Sequence, residues 1–153
     1  MWSVVDFGKW RGKGLTLPQI LVKDPDWFFW AIEENVFSGP LASQAKKLDR
    51  RARGIKLPAP LATTDCIQYM FAPDGKFAGF NVIVQSQPPH VGSSSEMRRP
   101  VLNLSAPRAF KSYDKLGCRL LLQTFKYYWF GGKNFTKSKV EDFFDDPVNF
   151  VKP

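Results

Sequence analysis

Apolar positions recur at helical spacing in the first third of the chain and at strand spacing in its middle. From Pro25 the run PDWFFWAIEENVF is apolar nearly all round as far as Glu33, which predicts a buried helix with Trp30 in the core. Asp24 stands at its N-cap and Pro25 at its first position, and Asp26 complements the helix dipole. A short helix is predicted before it over 17–22, capped by Thr16 with Pro18 in its first turn. After Ser38-Gly39-Pro40, the segment PLASQAKKLDRRARG sets Leu41, Ala45, Leu48 and Ala52 in one helical stripe, with Gly54 as the expected C-cap.

The second half changes period. Beyond a proline-rich connector at 57–64, DCIQYMFAPDGKFAGFNVIVQ reads as two strands around a Pro-Asp-Gly turn. SQPPHVGSSSEMRRP reads as an exposed, mobile loop, and VLNLS as a third short strand. Ser112 or Asp114 caps an amphipathic helix, KLGCRLLLQTFKYYWF, which Gly131-Gly132 ends. VEDFFDDPVNF predicts a further short helix, and SVVDF with KWRGKGLT predicts an N-terminal hairpin. The expectation is an α+β fold: a β-hairpin plus helices over 1–56, then a small antiparallel sheet packed by one long helix over 65–153. The two regions either stand apart or form one compact domain.

Composition adds a partner class. The 153 residues carry a formal charge of +8 and are 44% hydrophobic and 15% aromatic, so a packed, basic protein with an anionic partner is expected. No apolar run approaches the ~18 residues of a membrane helix, no secretory leader is visible, and Cys66 and Cys118 make no disulfide framework. These features predict a cytoplasmic protein without a membrane partner.

The cations fall in two groups. If KWRGK is extended, Lys9, Arg11 and Lys13 share one face and could track successive phosphates. Trp10 lies on the other face, where it either stacks on a base or anchors the hairpin. Lys46, Lys47, Arg50, Arg51 and Arg53 surround the stripe of the third predicted helix and extend the patch. A nucleotide-hydrolysing loop is rejected, because the spacing is one residue short and Gly14 stands where the metal-binding hydroxyl belongs. Tyr127, Tyr128, Trp129 and Phe130 are either core or a stacking platform.

Residues 4–36 resemble the small accessory module that follows the nuclease domain in exodeoxyribonuclease X-like proteins. Phe7-Gly8-Lys9-Trp10-Arg11-Gly12-Lys13 and Asp24-Pro25 with Trp27, Phe28 and Trp30 carry the resemblance, while Gly14 departs from it. The resemblance implies a module of DNA-processing proteins that contacts DNA, without the acidic catalytic motifs of the nuclease.

Catalytic chemistry finds little support. His90 is the only histidine and lies in the polar loop, and the two cysteines read as small core residues. Glu141, Asp142, Asp145 and Asp146 read as a solvated acidic segment or an internal partner for basic residues. The expected function is a non-catalytic nucleic-acid-binding accessory protein, DNA before RNA, with no cofactor and no metal. One alternative is a protein-interaction factor of phage or mobile-element origin that docks an acidic partner. A weaker one is a metal-dependent nuclease using scattered acids such as Asp65, Asp74 and Glu96.

Overall fold

The computed structural model describes residues 2–58, 64–108 and 114–152. Three helices come first. In α1 (Leu17–Lys23), Gln19 Oε1 accepts the Thr16 amide at 3.0 Å, and Pro18 sits in the first turn. In α2 (Pro25–Glu33), Asp24 Oδ1 accepts the Trp27 amide at 3.1 Å, which is the expected N-cap. α3 (Pro40–Ala52) buries Ala45, Leu48 and Ala52, as its stripe requires. Gly54 is not a cap, since Arg53 holds that position. A Cβ on Gly54 would lie 2.6 Å from Val151 Cγ2, so its role is to let the C-terminal segment approach.

The N-terminal hairpin is reduced to a single antiparallel bridge, Val4 with Thr16. The residues between form a 3-10 turn at Gly8–Trp10, and the Gly12 amide donates to Asp6 Oδ1 at 2.8 Å. Trp10 drives this difference. It is 3% exposed and meets Trp27 edge-on at 5.7 Å, and the chain curls to put the ring there.

The sheets follow. β1 (Ile55–Lys56) pairs antiparallel with β5 (Val101–Leu102). β2 (Asp65–Phe71) is the centre of a second antiparallel sheet between β3 (Phe77–Val84) and β4 (Ser95–Arg99). The Tyr69 hydroxyl ties the two sheets. It donates to the Val101 carbonyl at 2.9 Å and accepts the Asn103 amide at 2.7 Å. Burial pushes its pKa up to about 12 against the lowering effects of the Asn103 amide and Arg99.

β4 corrects the expectation of a mobile loop over 87–100. Arg98 donates to the carbonyls of Gln85, Gln87 and Pro88 at 3.1, 2.7 and 2.9 Å, and so fastens the connection to its own strand. Five residues of the supposed loop are strand.

α4 (Lys115–Phe130) lies on β3, where Phe80 meets Tyr128 at 6.5 Å and Trp129 at 6.2 Å. Asp114 is its cap; Ser112 lies outside the described residues. α5 (Lys137–Asp145) returns to α1, and the Thr16 hydroxyl donates to Glu141 Oε2 at 2.7 Å. One continuous core runs from Trp2 to Phe150. Helices of the first region therefore share their apolar faces with elements beyond the 57–64 connector, of which 59–63 lie outside the described residues.

Candidate nucleic-acid interface

α2 is not covered all round. Phe28, Phe29 and Ala31 are buried, but Trp30 is 43% exposed, which corrects its expected place in the core. α4 packs beside α2 without closing over this edge and leaves a cleft of about 560 Å³. The aromatic wall runs outward from buried Trp10 through half-buried Trp27 to Trp30, with the last pair 6.2 Å apart.

Cations rim this wall: Lys9, Lys23, Lys115, Arg119 and Lys126. Three come from α4, at positions 115, 119 and 126 with Gln123 between, on the face opposite buried Leu121 and Phe125. Helical spacing alone would have revealed this basic stripe. The leucines that dominate the helix mask it in the sequence.

Two acids also line the cleft, and both are paired. Asp24 binds Lys9 Nζ at 2.5 Å while capping α2. Asp26 is buried against Arg108, which also reaches Glu33 at 2.9 Å. Burial opposes the Arg108 charge, but hydrogen bonds to Glu33 and Asp26 outweigh it and raise its pKa. Lys23, Lys115, Arg119 and Lys126 have no carboxylate within ion-pair distance among the described residues. The cleft is thus neutralised at the Lys9–Asp24 and Arg108–Asp26 pairs and positive at the four unpaired cations.

Cys118 completes the floor. Burial, together with the carboxylates of Asp26, Asp114 and Asp24, pushes its thiol up to about 12, so the sulfur is neutral at physiological pH.

No family model matches this chain, and no curated protein or solved structure does.

The other expected residues divide. Lys9 joins the cleft, with its ammonium 4.9 Å from the Trp10 ring centroid. Arg11 and Lys13 are exposed beside it, on a turn, so the row of three cations along a strand face does not form. Trp10 is buried and offers no face to a base; it anchors the turn.

On α3, Lys46, Lys47 and Arg50 are exposed, but two of the expected contacts serve the fold. Arg51 donates to the Phe144 carbonyl at 2.5 Å, and Arg53 bonds Asp49 at 2.8 Å and Ser105 at 3.0 Å. Lys47, Arg50, Arg51 and Arg53 line a separate groove with Phe150 and Lys152, so they do not extend the patch around Lys9.

Of the aromatic run in α4, only Tyr127 is exposed. Tyr128, Trp129 and Phe130 are half-buried, and Trp129 Nε1 donates to the Lys56 carbonyl at 2.9 Å. Among the described residues no group of three His, Cys, Asp or Glu side chains is arranged to hold a metal ion, and no helix is long and apolar enough to cross a membrane.

Proposed function

We propose that this chain is a nucleic-acid-binding accessory protein and that the α2–α4 cleft receives the phosphate backbone. One observation carries the reading. Four cations without carboxylate partners among the described residues rim a single cleft, in a chain of net charge +8. Ammonium and guanidinium groups left unpaired on one surface attract a polyanion and release its counterions on contact. The resemblance of residues 4–36 to the exodeoxyribonuclease X accessory module favours DNA over RNA, and Lys9, Trp27 and Trp30 of that stretch line the cleft.

The test is a titration of the purified chain with fluorescein-labelled DNA at several salt concentrations. Binding should weaken steeply with salt. Replacing Lys115, Arg119 and Lys126 together with Gln should weaken it for every sequence alike. An unaltered affinity in that triple variant would overturn the assignment of the cleft.

A further inference from the structure

Phosphate contact alone does not account for Trp30. A surface that only tracks a backbone needs cations, whereas this cleft exposes an indole between them. Of the five tryptophans, Trp2 and Trp10 are buried, Trp27 and Trp129 half-buried, and Trp30 alone is exposed. Its neighbours on the helix fill the core, so the exposure follows from the cleft that α4 leaves open.

We infer that the cleft takes an unpaired nucleobase, stacked on Trp30, with the flanking phosphates held by Arg119 and Lys126. The inference rests on the nucleic-acid reading above and narrows its ligand to single strands. In a duplex each base face is already stacked, and what remains accessible is phosphate, sugar and base edges, so an indole finds no free π-face to stack on. A single strand presents both a charged backbone and free π-faces, which matches a cleft with cations at its rim and an aromatic wall. Trp27 lines the cleft beside Trp30, tilted at 48° to it, and Trp10 buttresses Trp27 edge-on. The wall is held before any base arrives, which lowers the ordering cost of stacking. The cleft volume of about 560 Å³ leaves room for a base with its sugar and phosphate.

The experiment uses the full chain and three labelled probes: oligothymidylate and oligouridylate of about 12 nucleotides, and a DNA duplex of mixed sequence. Affinities are measured by anisotropy for wild type, Trp30→Ala, Trp30→Phe, and Arg119→Gln with Lys126→Gln. Melting temperatures check that each variant folds. The expected result has three parts. Single strands bind more tightly than the duplex and quench tryptophan fluorescence. Trp30→Ala loses about tenfold or more for single strands with little change for the duplex. Trp30→Phe recovers most of the loss.

The relative affinity for oligothymidylate and oligouridylate tells whether the strand is DNA or RNA, and a Trp30-dependent grip on either supports the inference. Equal binding of duplex and single strand, unmoved by Trp30→Ala but weakened by the Arg119 and Lys126 changes, would overturn the base-stacking inference and leave backbone binding standing. No binding of any probe at low salt would overturn both. Binding of poly-glutamate as tight as that of nucleic acid, again unmoved by Trp30→Ala, would overturn both in favour of an acidic protein partner.

Discussion

Asp114 joins α4 to β3 through one carboxylate: Oδ1 accepts the Gly117 amide at 2.8 Å and Oδ2 accepts the Phe77 amide at 3.0 Å. The cap is therefore also a tertiary contact. A Cβ on Gly117 would lie 2.4 Å from Oδ2, so only glycine lets the carboxylate sit over the helix start. Asp114→Ala should lose more than an ordinary cap, about 2–4 kcal/mol, because it strands two amides where one is usual. Gly117→Ala should destabilise despite alanine's better helix propensity. Urea denaturation of both variants checks this, and a stabilised Gly117→Ala would contradict the geometry.

Arg108 is the second hinge of stability. Its side chain is 12% exposed and bridges Asp26 and Glu33 on α2. Removing it leaves Asp26 buried without its counter-charge, so Arg108→Ala should cost about 3–5 kcal/mol. The double change Arg108→Met with Asp26→Leu should recover much of that loss, since neither charge is then left alone. Thermal melts of the single and double variants separate the two terms.

The local signals were legible because their causes are local. Asp24 and Asp114 cap, Pro25 opens a helix, and Pro-Asp-Gly turns the β2–β3 hairpin, each through atoms a few residues apart. Trp30 was not legible, because whether one edge of an apolar helix is covered depends on where another helix lands. β4 was hidden for a related reason. Its sequence SEMRR offers one apolar residue, and it holds its place by backbone pairing to β2 and by Arg98. Glu96 and Arg98 sit on a half-buried face because Gln68 and the His90 amide satisfy Glu96, three carbonyls satisfy Arg98, and the two bind each other at 3.2 Å, and composition does not announce that. The cleft cations lie between these cases: the 115, 119 and 126 spacing was visible, but the partner that makes them a rim was not.

Trypsin should test the β4 clasp. Arg98 and Arg99 lie in sequence where a loop cut would be expected, yet Arg98 is engaged by four oxygen acceptors. The native chain should resist cleavage there, whereas Arg98→Ala should open 85–95 to proteases that cut loops, such as subtilisin. Early tryptic cleavage after Arg98 in the native chain would refute the clasp.

The same clasp sets a pH dependence. The Gln68 side chain, the His90 amide and then Arg98 hold the Glu96 carboxyl down at about 2. A lowered folded pKa contributes stability that is complete above the ordinary carboxylate pKa and is lost as pH falls through the folded value. The gap in melting temperature between wild type and Glu96→Gln should therefore hold at neutral pH, narrow below about 4.5 and close near 2. A gap that widens as pH falls would reverse the assignment.

The basic elements should not contribute equally to binding. Arg119, Lys126 and Lys115 are free to meet phosphate, so each change to Gln should flatten the dependence of log K on log salt by about 0.7–0.9. Lys9→Gln should act on stability as well, because Lys9 binds the cap Asp24. On α3, Arg51→Gln should lower the melting temperature through its lost bond to the Phe144 carbonyl and leave the salt slope unchanged. Parallel melts and salt titrations distinguish these outcomes.

The packing of α1 on α5 has a consequence for how the chain is made. Thr16 and Glu141 are 125 positions apart, and α5 is one of the helices packed against α1. At a translation rate of roughly 5–20 residues per second, α1 leaves the ribosome on the order of ten seconds before its partner exists. During that interval its leucines and isoleucine and the phenylalanines of α2 have no completed core to enter. The nascent chain should be a client for holdase chaperones until the last helix emerges, and it should gain protease resistance late and all at once.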